Sequence, residues 1–140
     1  MIVLDTNVIS ELFTNTPNPK VIAWLSSQNL NDLYIATPTI MELWSGALRL
    51  PIGKRRLQLE EKITLITEKM YFNRTLILDE DSAKLSGKYV ADQFLKGLKP
   101  SIADCQIAAI ASVNKFTVAT RDTKDFVHKG LVVVNPWEES

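Results

Sequence analysis

The sequence predicts an α/β domain in which helices cover a sheet of parallel strands. Short apolar runs alternate with longer amphipathic stretches along 140 residues, the pattern of strand–helix units rather than of a sandwich or a bundle. The runs at 2–5, 33–36, 75–78, 116–120 and 131–134 are too short and too uniformly apolar for strands with one face in water. A chain of this length, 46% hydrophobic, buries enough surface for one core without disulfides, so residues 1–140 read as one domain.

The first strand, Ile2 to Asp5, is an apolar run closed by a carboxylate. Helices follow near 7–13 and 18–28, leaving Phe13 and Trp24 as candidates for an exposed apolar interface. The strand Leu33 to Ala36 leads to a helix over 39–50, whose Ile40, Leu43, Trp44, Ala47 and Leu48 form one apolar stripe. Thr39-x-x-Glu42 is spaced as a capping box at its start. The segment 54–72 mixes Lys54, Arg55, Arg56 and Lys62 with Glu60, Glu61 and Glu68, as a solvated amphipathic helix does. After the strand Thr75 to Leu78, the acids Asp79, Glu80 and Asp81 suit the positive end of a helix over 80–96. The helix over 101–114 carries Ser101-x-x-Asp104 at its start and is nine-twelfths apolar from Ile102 to Val113. The strand Phe116 to Thr120, a turn near His128 and the strand Leu131 to Val134 complete the pattern. Pro136-Trp137 then ends the last strand, leaving a short tail that docks or frays.

Composition narrows the chemistry. Sixteen basic residues balance sixteen acidic ones, which excludes a uniformly basic nucleic-acid binder but not separate patches of each sign. The longest apolar run, Ile107 to Ala111, is far shorter than the ~20 residues of a membrane helix. Met-Ile-Val-Leu-Asp lacks the basic start of a secretory signal, so a cytoplasmic location is expected, and the lone Cys105 fits a reducing compartment. The five glycines are never closer than 46 and 53, so no Gly-rich phosphate loop exists. One histidine and one cysteine make a Cys/His zinc site impossible.

What remains is carboxylate. Asp5 and Asp122 close apolar strand runs, at the edge where open parallel sheets bind ligands. Glu42 and Asp104 fall in first turns of helices opening on that edge. Asp5 and Asp122 also suit helix or turn caps, and Glu42 faces away from the apolar stripe as a capping-box acid would. Asp104 is harder to explain structurally: it sits in an apolar helix with no basic neighbour, and a buried carboxylate needs a counter-charge, donors or a metal. Converging acids raise one another's pKa values unless a cation neutralises them, and oxygen-only donors select Mg²⁺ or Mn²⁺. Asp125 suits a turn cap or a supporting place beside the site. Arg49, Lys54, Arg55 and Arg56, with Arg121 beside Asp122, are candidates for binding phosphate groups; a solvated helix start explains Lys54 to Arg56 nearly as well.

These residues resemble a known family. Leu4-Asp5-Thr6-Asn7-Val8-Ile9-Ser10, Glu42, Ala103-Asp104 with Ile107-Ala108-Ala109, and Ala119-Thr120-Arg121-Asp122 are similar to PIN-domain ribonucleases, especially the VapC-type toxins of toxin–antitoxin pairs. The opening Asp-Thr-Asn-Val-Ile-Ser-Glu and the ending Val134-Asn135-Pro136-Trp137 look most like the FitB-like branch. The resemblance implies a three-layer α/β/α sandwich with a five-stranded parallel sheet of order 3-2-1-4-5. It also implies an Mg²⁺- or Mn²⁺-dependent endoribonuclease leaving 5′-phosphate and 3′-hydroxyl ends. By position, Asp5, Glu42 and Asp104 would hold the metal, Asp122 would be the fourth acid, and Thr6, Asn7 and Thr120 would support them. A homodimer, a small cognate antitoxin and operator DNA bound only through that antitoxin are implied in the same way. Two other classes fit parts of the pattern. An aspartate-nucleophile phosphatase needs a second Asp where Asn7 stands, and a non-catalytic Mg²⁺-binding RNA or regulatory module would bind RNA and leave it intact.

Overall fold

The computed structural model describes residues 1–138. Five short strands, β1 (Ile2–Leu4), β2 (Leu33–Ala36), β3 (Thr75–Leu76), β4 (Thr117–Ala119) and β5 (Val133–Val134), form one sheet of order β3-β2-β1-β4-β5. Every pairing is parallel. The order is the one the family resemblance implied, and every expected strand is present. Apart from β2, the strands are shorter than their apolar runs: β3 and β5 pair over two residues each, and the runs continue past the ladder into loops.

Helices cover both faces. One core cluster joins Leu4, Ile35 and Ala119 to Val8, Ile9, Val21, Leu43, Ala47 and Ile63, from α1 (Thr6–Glu11), α2 (Pro19–Ser27), α3 (Thr37–Leu48) and α4 (Lys54–Leu65). The other joins Val3, Ala36 and Val118 to Tyr89 of α5 (Glu80–Leu95) and to Cys105 and Ile107 to Ala111 of α6 (Ile102–Asn114). Both faces of β1 are thereby dry, which is why it carries no polar residue before Asp5. Phe13 and Trp24 are partly buried against the first cluster, the commoner fate of such residues, rather than standing free on the surface. Burial in the core removes more of their apolar area from water than a free surface could. Trp137 packs on the same cluster, so the tail docks there. The last two residues, 139 and 140, lie outside the described ones.

Three local features depart from the sequence pattern. α3 begins two residues before position 39, with Pro38 in its first turn, where a missing N–H is no loss. The helix expected to run to 72 changes at Leu65 into one π-helical segment, Ile66–Met70. Thr123–Phe126 forms a 3₁₀ turn that nothing in the periodicity signals.

Arg74 pins the entry to β3. Its guanidinium donates to the carbonyls of Leu30, Leu33 and Met70 and lies 4.8 Å from the Tyr71 ring centroid. It is 9% exposed, so few waters can replace it. Arg74→Ala is therefore expected to destabilise the protein by about 2 kcal/mol, the scale of buried carbonyls left unpaired. The check is a lower urea midpoint at constant slope.

α6 ends in a Schellman motif. Phe116 N–H reaches Ala111 O at 2.9 Å and Lys115 N–H reaches Ser112 O, which forces Lys115 to φ 60°. Glycine adopts that conformation without the Cβ clash. Lys115→Gly should raise stability by about 0.5–1 kcal/mol, read as a higher melting temperature.

Candidate active site

The β1–β4 register pairs Leu4 with Ala119, so the residues that follow, Asp5 and Thr120, emerge side by side at the carboxyl edge of the sheet. Asp5 is the N-cap of α1: Oδ1 accepts from Thr6 N–H at 2.8 Å and Oδ2 accepts from Thr120 Oγ1 at 2.7 Å. Capping and cleft-lining are both met by the one side chain. Thr120 Oγ1 in turn accepts from Asp122 N–H at 3.0 Å and Asn7 Nδ2 at 3.3 Å. Asn7 also donates to Asp122 Oδ2 at 3.2 Å and accepts from Arg121 N–H. The turn after β4 is thus tied to the first turn of α1. Asp122 makes no side-chain cap of its own, contrary to the turn-cap reading.

Glu42 departs most from its local pattern. α3 is capped at Ala36 with no side-chain hydrogen bond, so Thr39-x-x-Glu42 is not a capping box. Because the helix starts at Thr37, both residues lie too far inside it to reach the cap. Glu42 Oε1 instead accepts from Thr6 Oγ1 at 2.6 Å, across 36 positions of sequence. Asp104 sits in the first turn of α6, whose N-cap Ser101 accepts from its N–H at 3.3 Å.

Asp5, Glu42, Asp104 and Asp122 thereby line one cleft of about 270 Å³ with Thr6, Asn7 and Ser10. Size does not single it out. A hollow of about 340 Å³ at the start of β4 is lined by Ser112, Lys115, Phe116, Thr117 and Lys129 to Val132, and contains no acid.

The electrostatics do single it out. Asp5 is 3% exposed, and burial, partly offset by the Thr120 and Thr6 hydrogen bonds, pushes its pKa up to about 6. Glu42 and Asp122 add to the rise. Asp104 goes to about 7, through burial first and then the charges of Asp5, Glu42 and Asp125. Cys105 rises to about 11, from burial and the neighbouring Asp104 and Asp125 carboxylates. Among the described residues the ion pairs are Arg56–Glu60 and Lys88–Asp92, and neither involves the four acids. The cleft therefore concentrates negative charge with no protein cation to offset it.

That charge and an oxygen-only donor set fit a hard divalent cation. Among the described residues no three His, Cys, Asp or Glu side chains are gathered closely enough to form a cage by themselves. An open cleft suits Mg²⁺, which usually keeps several waters and takes only one or two carboxylates directly.

The basic candidates are spread around this centre. Arg49 lines a hollow of about 290 Å³ that it shares with Glu42, Ser45, Gly46 and Met41. Arg121 is exposed next to Asp122, its guanidinium 5.3 Å from the Trp137 ring centroid. Lys54 and Arg55 are exposed on the first turn of α4, whereas Arg56 pairs with Glu60 at 3.3 Å. Sequence reasoning missed Ser10 as a lining residue, although it lies one helical turn after Thr6 and Asn7. It also missed the contact of Thr39 with Thr6, for which spacing offers no signal.

Fold and site together define an α/β/α protein with a carboxylate-lined, oxygen-only cleft at the carboxyl edge of its sheet. Residues 2–130 match the PIN domain, and the chain belongs to the PIN-domain family. It is 45% identical over 138 residues to the plasmid stability protein StbB of Pseudomonas syringae pv. tomato, covering 99% of both chains. It is 39% identical to the VapC ribonuclease Y4jK of Sinorhizobium fredii, again over 99% of each. Among solved structures it resembles FitAB bound to an IR36 DNA fragment, with TM-score 0.89, 37% identity, and 100% of this chain and 98% of that chain covered. FitAcB from Neisseria gonorrhoeae matches with TM-score 0.88, 38% identity, and coverage of 99% and 100%.

Proposed function

We propose that this single-domain chain is an Mg²⁺- or Mn²⁺-dependent endoribonuclease and the toxin of a toxin–antitoxin pair, acting in the cytoplasm. The observation that carries the reading is four carboxylates around one cleft without a protein cation. Full-length similarity to a VapC ribonuclease and to Toxin FitB supports the same class.

In this reading Asp5, Glu42 and Asp104 hold the metal, and Asp122 assists directly or through water. When bound, the ion supplies an activated water and relieves charge on the scissile phosphate. The chain's own residues orient the acids: Thr120 fixes Asp5, Thr6 fixes Glu42, and Asn7 fixes Asp122. Arg49 shares a hollow with Glu42 and exposed Arg121 precedes Asp122, places from which they can draw phosphates toward acids that would otherwise repel RNA. Similarity to FitAB bound to a DNA fragment supports a small antitoxin as partner and operator DNA engaged through it, while a homodimer rests on the family resemblance alone.

The test is incubation of the purified protein with structured RNAs in Mg²⁺ or Mn²⁺ and in EDTA, with end-mapping of products. Metal-dependent cuts bearing 5′-phosphate and 3′-hydroxyl ends are expected. RNA that is bound but left intact with Mg²⁺ would establish the non-catalytic module instead. Affinity for single-stranded RNA should fall with salt at a log–log slope of about −0.7 for each phosphate contacted, and a flat dependence would remove Arg49, Lys54, Arg55, Arg56 and Arg121 from the binding surface.

A further inference from the structure

We propose that Thr39 is a positioning residue for Glu42, acting through the hydroxyl of Thr6. Thr6 Oγ1 lies 2.6 Å from Glu42 Oε1 and 3.1 Å from Thr39 Oγ1. A hydroxyl has one proton, and an ionised carboxylate only accepts. The shorter contact therefore takes the Thr6 proton, leaving Thr6 Oγ1 to accept from Thr39.

The direction of this chain is fixed at its far end. Thr39 is 0% exposed, so no solvent water competes for its hydroxyl. Among the described residues its one side-chain hydrogen bond is the contact with Thr6. Thr39 stands on α3 one helical turn before Glu42, whereas Thr6 stands on α1. The relay thus locks α1 to α3 at the cleft and holds Oε1 of Glu42, with Oε2 outside this hydrogen bond. Hydrogen bonds in such a chain strengthen one another, and groups behind a metal-holding carboxylate set its orientation.

This role rests on Glu42 holding the metal, as proposed above. The test compares Thr39→Val and Thr39→Ala, which lack the hydroxyl, with Thr39→Ser, which keeps it. Mn²⁺ binding is read by titration calorimetry on full-length protein, with RNA cleavage measured alongside and melting in EDTA confirming that each variant folds. Loss of the hydroxyl is expected to weaken Mn²⁺ binding and lower kcat by about tenfold, with KM for RNA unchanged, and Ser should restore both. Wild-type Mn²⁺ affinity in the Val or Ala variant, or a Ser variant as weak as they are, overturns the relay. A wild type that neither binds Mn²⁺ nor cleaves RNA overturns the ribonuclease reading and this role with it. That outcome is distinct from an active wild type indifferent to position 39.

Discussion

Asp104→Asn is expected to lower RNA cleavage by at least about a hundredfold while raising the melting temperature of the metal-free protein. The two effects share one cause. Asp104 is half-buried beside Asp5, Glu42 and Asp125, and its ionised form is disfavoured by burial and by those charges. An amide of the same shape removes the charge that strains the empty-handed fold. On the proposed assignment it also removes a metal ligand, and disturbing even the outer groups of a metal site typically costs tenfold to a hundredfold. Asp5→Asn should lose activity as severely and likewise raise the melting temperature of the metal-free protein, since burial disfavours its carboxylate too. Single-turnover cleavage and thermal melting of the same preparations check both halves. Activity within tenfold of wild type for either variant would defeat the assignment.

Acidification should stabilise the metal-free protein. Asp5 rises from 3.8 to about 6 and Asp104 to about 7 on folding, so between these values the folded state binds more protons than the unfolded one. Stability therefore falls as pH rises from about 4 to 7, and the penalty is complete above pH 7 and absent below the ordinary carboxylate value. For buried Asp5 the rise corresponds to about 3 kcal/mol at about 1.4 kcal/mol for each tenfold; half-buried Asp104 adds a smaller, solvent-screened amount. In EDTA the melting temperature at pH 5.5 should exceed that at pH 8 by about 5 °C, since much of the Asp5 penalty is already present at pH 5.5 and the rest comes with Asp104. Below pH 4 the trend reverses, since Asp79 and Asp92 are held below their ordinary values by Ser82 and Lys88 and lose those contacts when protonated. Saturating Mn²⁺ should close the gap at pH 8 by binding only the folded form. Equal melting at pH 5.5 and 8 in EDTA would mean that the acids do not share a dry cleft.

The acids at strand ends were the most legible part of the site. Asp5 and Asp122 follow apolar runs, and a parallel sheet brings the carboxyl ends of its strands together whatever the register. Glu42 was ambiguous because Thr39-x-x-Glu42 imitates a capping box, and only the true start of α3 shows that no cap is reached. Thr39 itself was invisible as a positioning group, since its partner lies 33 positions away and a buried hydroxyl has no periodicity. In the fold, strand positions were readable from apolar runs, but the two-residue ladders of β3 and β5 were not. Side-chain pattern reports burial, while ladder length depends on the neighbouring strand. The order 3-2-1-4-5 came from likeness to a family rather than from hydropathy. Phe13 and Trp24 were open to two readings for a related reason: an apolar residue on a short helix looks the same whether its partner is the core or another chain.

The central place of β1 bears on when the molecule can come into being. The strand made first waits for β2, paired from Ile2 to Leu33, and then for β4, paired from Leu4 to Ala119. Contacts so distant in sequence are slow to form, and Asp5 meets Thr120 and Asn7 meets Asp122 only after more than a hundred further residues exist. A chain still emerging from the ribosome carries Asp5 and Glu42 without Asp104 or Asp122, and so has half a cleft. The sheet order acts as a clock: the charged pocket is completed only after the chain has been made past Asp122.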